Sequence, residues 1–117
     1  MINWPFFLHR CLGSVERQTF TDYEIILTHS GLMAANSNRA IQSAKGEIIK
    51  ILYLDDYFAH PNALQVIADN FKGGWLVTGC AHDNGEGRFN PHFPLWNDKF
   101  SEGINTIGSP SVLAFEN

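Results

Sequence analysis

The chain is short of cysteine, short of basic residues and free of long apolar runs, and each shortage removes a class of protein. Two cysteines in 117 residues, Cys11 and Cys80, cannot make a disulfide framework. They fall in an expected helix and an expected strand, and so read as buried free thiols of a reducing, cytoplasmic setting. Eight lysines and arginines stand against twelve aspartates and glutamates, a net charge of −4. These charges are scattered rather than blocked, which leaves no basic footprint for a phosphate backbone, and no nucleic-acid partner is expected. Nothing approaches the roughly 18 consecutive apolar residues that a membrane span requires. The opening MINWPFFLHRCL has too short an apolar run, and no small-residue cleavage site, to be a leader, so a soluble chain without a membrane span is expected. Internal repeats, low-complexity stretches and domain linkers are also missing. What is present, 44% apolar and 13% aromatic residues, suffices for the core of a single domain over residues 1–117.

Periodicity then divides the chain. Pro5 suits a first helical turn, and Phe7, Leu8, Cys11, Leu12 and Val15 recur at helical spacing, predicting a helix to about Gln18. The β-branched run at residues 23–27 predicts a buried strand that ends in the loop Thr28-His29-Ser30-Gly31. A narrow stripe of small residues from Leu32 to Lys45 predicts a second helix capped by Gly46. Residues 48–54 read as the next strand, Pro61 to Phe71 as a third helix ended by Gly73-Gly74, and residues 75–80 as a further strand. From His82 to Gly108 the composition turns to glycine, asparagine, proline, histidine and aromatics without a period, predicting a long loop over a site. A last strand is expected at residues 111–115. Helices alternating with strands in this way predict an α/β domain, a mainly parallel sheet with flanking helices.

Chemistry concentrates in GEIIKILYLDDYFAHPNAL, residues 46–64, where an apolar run ends in Asp55 and Asp56. Paired acids at the C-terminal edge of a buried strand are the geometry by which an open α/β sheet holds a divalent cation against a ligand phosphate. The same two acids also suit a solvated turn, or capping of the helix near Pro61, and spacing alone does not separate these readings. Cys80, His82 and His92 offer thiolate and imidazole, but their spacing fits no common zinc template and no fourth ligand is evident. Among the tryptophans, Trp75 reads as core, whereas Trp96 in the long loop is placed to stack on a sugar acceptor.

The order LHRCLGSVERQTFTDYEIIL, then NRAIQSAKGEIIKILYLDDYF, then IGSPSV resembles the family 2 glycosyltransferases. That resemblance implies a partial nucleotide-diphospho-sugar transferase domain of the glycosyltransferase A-type, Rossmann-like, fold. It is similar to a shortened form of that domain, starting inside the helix that follows the family's first strand, with Thr28-His29-Ser30-Gly31 where the family has an acidic turn. By resemblance Asp56 coordinates Mn²⁺ or Mg²⁺, and Asp55 faces the ribose or assists the metal. Asn38 stands where the family has an asparagine near the nucleotide, with Arg39 beside it as a cation for the diphosphate. Ser109 falls on the acceptor side of the cleft. The implied activity is transfer of a sugar from a nucleotide-diphosphate sugar donor to a glycan or other hydroxyl acceptor. The alternative is a non-catalytic remnant that still binds nucleotide sugar or glycan. The missing first strand leaves an exposed sheet edge, which predicts low stability or homodimerisation.

Overall fold

The computed structural model describes residues 3–94, 102 and 109–117. Three helices form where the sequence favours them. Helix α1, Trp4–Glu16, starts at Asn3, whose side chain accepts from the Phe6 N–H at 3.1 Å, and carries proline in its first turn. It buries Cys11 and Ser14. Helix α2, Met33–Ser43, has no buried residue and lies on the surface. Its last turn passes into extended backbone at Ala44, so Gly46 does not cap it as expected. Helix α3, Ala63–Asn70, presents Ile67 to the core, and the turn after it needs the left-handed backbone of Gly73 and Gly74, at φ +91° and +70°.

Five short strands complete the fold: β1, Ile48–Lys50; β2, Trp75–Val77; β3, Cys80–Asp83; β4, Arg88–His92; and β5, Leu113–Glu116. A 3₁₀ turn, Pro110–Val112, leads into β5. The main sheet has the order β1-β5-β2, with β5 antiparallel to both neighbours, and β3 pairs with β4 in a separate antiparallel hairpin. The expected mainly parallel, Rossmann-like sheet is therefore overturned. Its physical source is a non-local insertion. Helix α3 does connect β1 to β2 as a crossover, and the two strands run the same way. However, the C-terminal strand slides between them in the opposite direction, and local periodicity carries no information about that neighbour.

Two further expectations change. Residues 23–27 form no strand: no ladder is formed from Phe20 to His29, and the Tyr23 N–H closes a tight turn on the Thr21 carbonyl at 3.0 Å where the segment begins. An apolar run becomes a strand only beside a partner, and no described residue pairs with it. The expected long loop begins instead as the β3–β4 hairpin, reversed through Asn84-Gly85-Glu86-Gly87 with Gly85 at φ +89°. The core is thin. Cys11, Ile49, Ile67, Val112 and Ala114 are its buried apolar members, while Trp75, expected inside, is 52% exposed. Among the described residues no helix is long and apolar enough to cross a membrane.

Candidate functional site

The site is built by what happens after β1. Ile51 donates to the Leu113 carbonyl and Tyr53 to Ser111 Oγ at 2.9 Å, so the chain hugs β5 and the 3₁₀ turn up to the acidic pair. There it turns, with the Asp56 N–H on the Tyr53 carbonyl at 2.9 Å. Helix α1 pins the following loop from the other side. Ser14 Oγ donates to the Cys11 carbonyl at 2.7 Å and accepts from the Phe58 N–H at 3.0 Å. Gln18 donates to the His60 carbonyl at 2.9 Å and accepts from the Leu64 N–H at 2.9 Å. Both polar side chains are buried and satisfied, which fixes residues 58–64 against α1.

Asp55 and Asp56 open into a cleft of about 1460 Å³. That volume exceeds the roughly 300–1,000 Å³ of an enclosed small-molecule pocket, so the cleft is an open trough. Asp55 is exposed and Asp56 half-buried. Among the described residues neither makes an ion pair; the ion pair present there is Arg10 with Asp83, at 3.5 Å. Nor do they cap α3, whose N-terminus falls at Asn62 without a side-chain cap. The two carboxylates are thus uncommitted donors beside solvent. Among the described residues no group of three or more histidines, cysteines and acids is placed to hold a metal ion. Magnesium-like cations suit such a pair, because they take one or two carboxylates and complete their shell with water and phosphate oxygens.

Two cations that the sequence reading passed over share this trough. Lys50, on β1, bonds through its ammonium to the Ser111 carbonyl and to that of Ile51 at 2.7 Å, and lies 5.8 Å from the Phe58 ring centroid. Enclosure of the amine lowers its pKa to about 8, and Asp56 opposes that shift. Arg10, on α1, donates to the Asp55 carbonyl at 2.9 Å and stacks on Tyr57 at 4.5 Å, with Phe6 and Phe7 at 5.5 and 5.1 Å. The spacing Phe6, Phe7, Arg10 on one helical face was the signal in the sequence. Tyr57 in turn donates to Asp83 at 2.6 Å; that bond, with one from the Gly85 N–H, holds the Asp83 carboxyl below its usual range. Burial pushes the Cys11 thiol upward, and the charges of Asp56 and Asp55 add to the effect.

The remaining expected residues divide. Ser109 lines the trough, where its Oγ accepts from the Ser111 N–H at 3.2 Å and starts the 3₁₀ turn. Asn38 and Arg39 lie on α2 and do not line it. The Arg39 guanidinium is taken up by the Ser30 carbonyl and by Asn36 Oδ1 at 3.0 Å. Trp96 lies outside the described residues. Cys80 stands opposite His92 across the hairpin. No protein-family model matches the chain, and no curated protein and no solved structure matches it.

Proposed function

We propose that the trough binds the diphosphate of a nucleotide-diphosphate sugar, and that the chain is a glycosyltransferase-like protein transferring the sugar to a hydroxyl acceptor. The observation that carries this reading is the pairing of two unpartnered carboxylates, Asp55 and Asp56, with Arg10 and Lys50 along one trough. Carboxylates alone would repel a diphosphate. Asp55 and Asp56 would hold a divalent cation, whose charge, with the basic side chains along the wall, would make the same trough attract the ligand.

Bound there, Mn²⁺ or Mg²⁺ supplies Lewis-acid neutralisation of the charge that builds on a departing diphosphate. The chain's own residues do the holding. Asp56, the more enclosed acid, is the principal ligand and Asp55 the second. Arg10, braced by Tyr57 and tied to the Asp55 carbonyl, keeps the acidic turn in place. Ser109 lines the same trough, and on this reading it takes the acceptor side.

Calorimetric titration of UDP and GDP, with and without Mn²⁺, tests the reading. Metal-dependent uptake that weakens tenfold or more, about 1.4 kcal/mol, in Asp56→Ala is expected. No metal-dependent uptake, or a variant equal to the parent, ends it. A second reading, binding without turnover, draws on Asn38 and Arg39 standing off the trough and on the commitment of Arg39 to Ser30. It predicts metal-dependent uptake with no consumption of UDP-sugar or GDP-sugar donors when acceptor glycans are added.

A further inference from the structure

The loop that follows the acidic pair has a second face. Residues 57–60 line the trough, and they also wall a separate hollow of about 280 Å³. Its other walls come from the end of α1, with the C-cap residue Arg17, and from Arg88 on β4. Among the described residues no acid lines this hollow, although the whole chain carries a net charge of −4. Asp83, the partner of Arg88 in the hairpin register, lines the trough instead, where Tyr57, Arg10 and the Gly85 N–H take up its carboxylate.

Three N–H-bearing side chains line the hollow, each from a different part of the fold. Arg88 donates from Nη2 to the Ala59 carbonyl at 2.9 Å and lies 5.7 Å from the Tyr57 ring centroid, which holds its guanidinium in place and leaves Nη1 without a partner among the described residues. His60 accepts at Nδ1 from the Asn62 N–H at 3.3 Å, so the proton of its neutral ring sits on Nε2, as a donor. The Arg17 guanidinium has neither a hydrogen bond nor an ion pair among the described residues. Gly13 gives it room. That residue lies in mid-helix, where glycine weakens the element relative to alanine and no left-handed turn calls for it. A Cβ there would stand 3.0 Å from Arg17 Nη1, so the bare backbone is what lets the guanidinium lie back along α1.

We propose that this hollow is an anion site that takes a phosphoryl group, held by Arg17 and Arg88 with His60 Nε2–H as a third donor. Walls of one charge sign focus their field into a cleft, and guanidinium forks make charge-assisted bonds to phosphoryl oxygens. Donors arriving from three parts of the fold match a tetrahedral set of oxygens better than the two coplanar oxygens of a carboxylate. The volume falls just below the roughly 300–1,000 Å³ of small-molecule pockets, which suits one small anionic group. None of Arg10, Lys50, Asp55 and Asp56 lines the hollow, so it needs no metal and stands independently of the trough.

Titration of the whole chain, in chelator and at low salt, with inorganic phosphate and with glycerol phosphate tests it, acetate serving as the planar control. Binding is read by calorimetry and by amide chemical shifts. Saturable uptake is expected, with shifts concentrated at residues 14–18, 57–61 and 88. Tighter binding of the ester identifies a phosphorylated molecule as the ligand, and equal binding identifies the free ion. Arg17→Gln, at an exposed position, should weaken binding about tenfold. Gly13→Ala keeps every charge but displaces the guanidinium; it should weaken binding severalfold while raising the melting temperature, a combination that a merely structural role for Arg17 does not produce. The proposal is overturned by the absence of saturable uptake of either phosphate probe, by acetate binding as tightly as phosphate, or by shifts confined to Lys50, Ser109 and Ser111 in the trough. Binding unchanged by both Arg17→Gln and Gly13→Ala overturns it as well.

Discussion

Gln18 and Lys50 show how single side chains decide the shape of the acidic loop. Gln18 is a buried amide that ties the end of α1 to residues 58–64: it donates to the Ser14 and His60 carbonyls and accepts from the Leu64 N–H. Gln18→Ala strands two of those groups, and a buried polar group left unpaired costs about 1–3 kcal/mol. Urea denaturation should show a lowered midpoint of that size at unchanged slope, whereas Glu16→Ala, exposed at the end of α1, should leave the midpoint nearly unchanged. Lys50 adds a dependence on pH. Its folded pKa of about 8 lies below the ordinary 10.5, so between those values the unfolded chain binds more protons at this amine. Its contribution to stability therefore rises with pH through that window and carries its full penalty below about 8. Between pH 7.5 and 9 the parent should gain about 1 kcal/mol relative to Lys50→Met. Melting curves of the two proteins at both pH values check this, and equal shifts would remove the enclosed amine as the cause. Keeping the comparison below pH 9 avoids Cys11, whose raised pKa acts in the opposite direction above it.

At the scale of elements, the hairpin is tied to the acidic loop and to α1 by a few polar bonds and by the Arg88 guanidinium over the Tyr57 ring at 5.7 Å. Tyr57 donates to Asp83, Arg10 pairs with the same carboxylate, and Arg88 donates to the Ala59 carbonyl at 2.9 Å. Tyr57→Phe removes the first of these and frees the hairpin to move while β1, β5 and β2 stay paired. Hydrogen exchange should quicken severalfold across β3 and β4 and stay unchanged in β5; uniform quickening would mean that the whole fold depends on that hydroxyl. The elements themselves were largely legible in the sequence, because Pro5, the apolar periodicity of α1 and α3 and the Gly73-Gly74 stop are local signals. The sheet was not. Which strand lies beside β1 depends on residues 113–116, more than sixty positions away, and no pattern within residues 48–54 encodes it. The segment 23–27 was misread for the same reason, since its composition demands a strand but the partner is not supplied by any described residue. In the site, Asp55 and Asp56 stood out as a charged pair closing an apolar run. Lys50 did not, because one lysine inside an apolar strand looks like a solvent-facing residue until Ser111 comes back to meet it. Ser14 and Gln18 were visible only as letters of a familiar helix, and their role is to brace the acidic loop.

For the molecule as a whole, the thin core sets the margin. Buried apolar side chains among the described residues are small or medium: Cys11, Ile49, Ile67, Val112 and Ala114, with no large side chain fully enclosed. Several large apolar residues instead face outward, Leu32 at 83% and Met33 at 67% exposure among them. Ordinary domains hold only about 5–15 kcal/mol of stability, and this arrangement belongs at the lower end of that range. Ile67, 4% exposed on α3, lies where the crossover helix packs on the sheet. Truncation of a buried isoleucine to alanine costs about 2–5 kcal/mol through lost burial and the cavity left behind. For a core of this size that is a large part of the total. Ile67→Ala should therefore be mostly unfolded at 37 °C, while Val66→Ala, on the exposed face one residue earlier, should melt within a few degrees of the parent. Circular dichroism melts of the three proteins at one fixed concentration decide it, fixed because any dimer adds stability by mass action. An Ile67→Ala protein that still melts cooperatively near the parent would show that the stability resides elsewhere, and that the sheet and helices described here do not depend on their shared core.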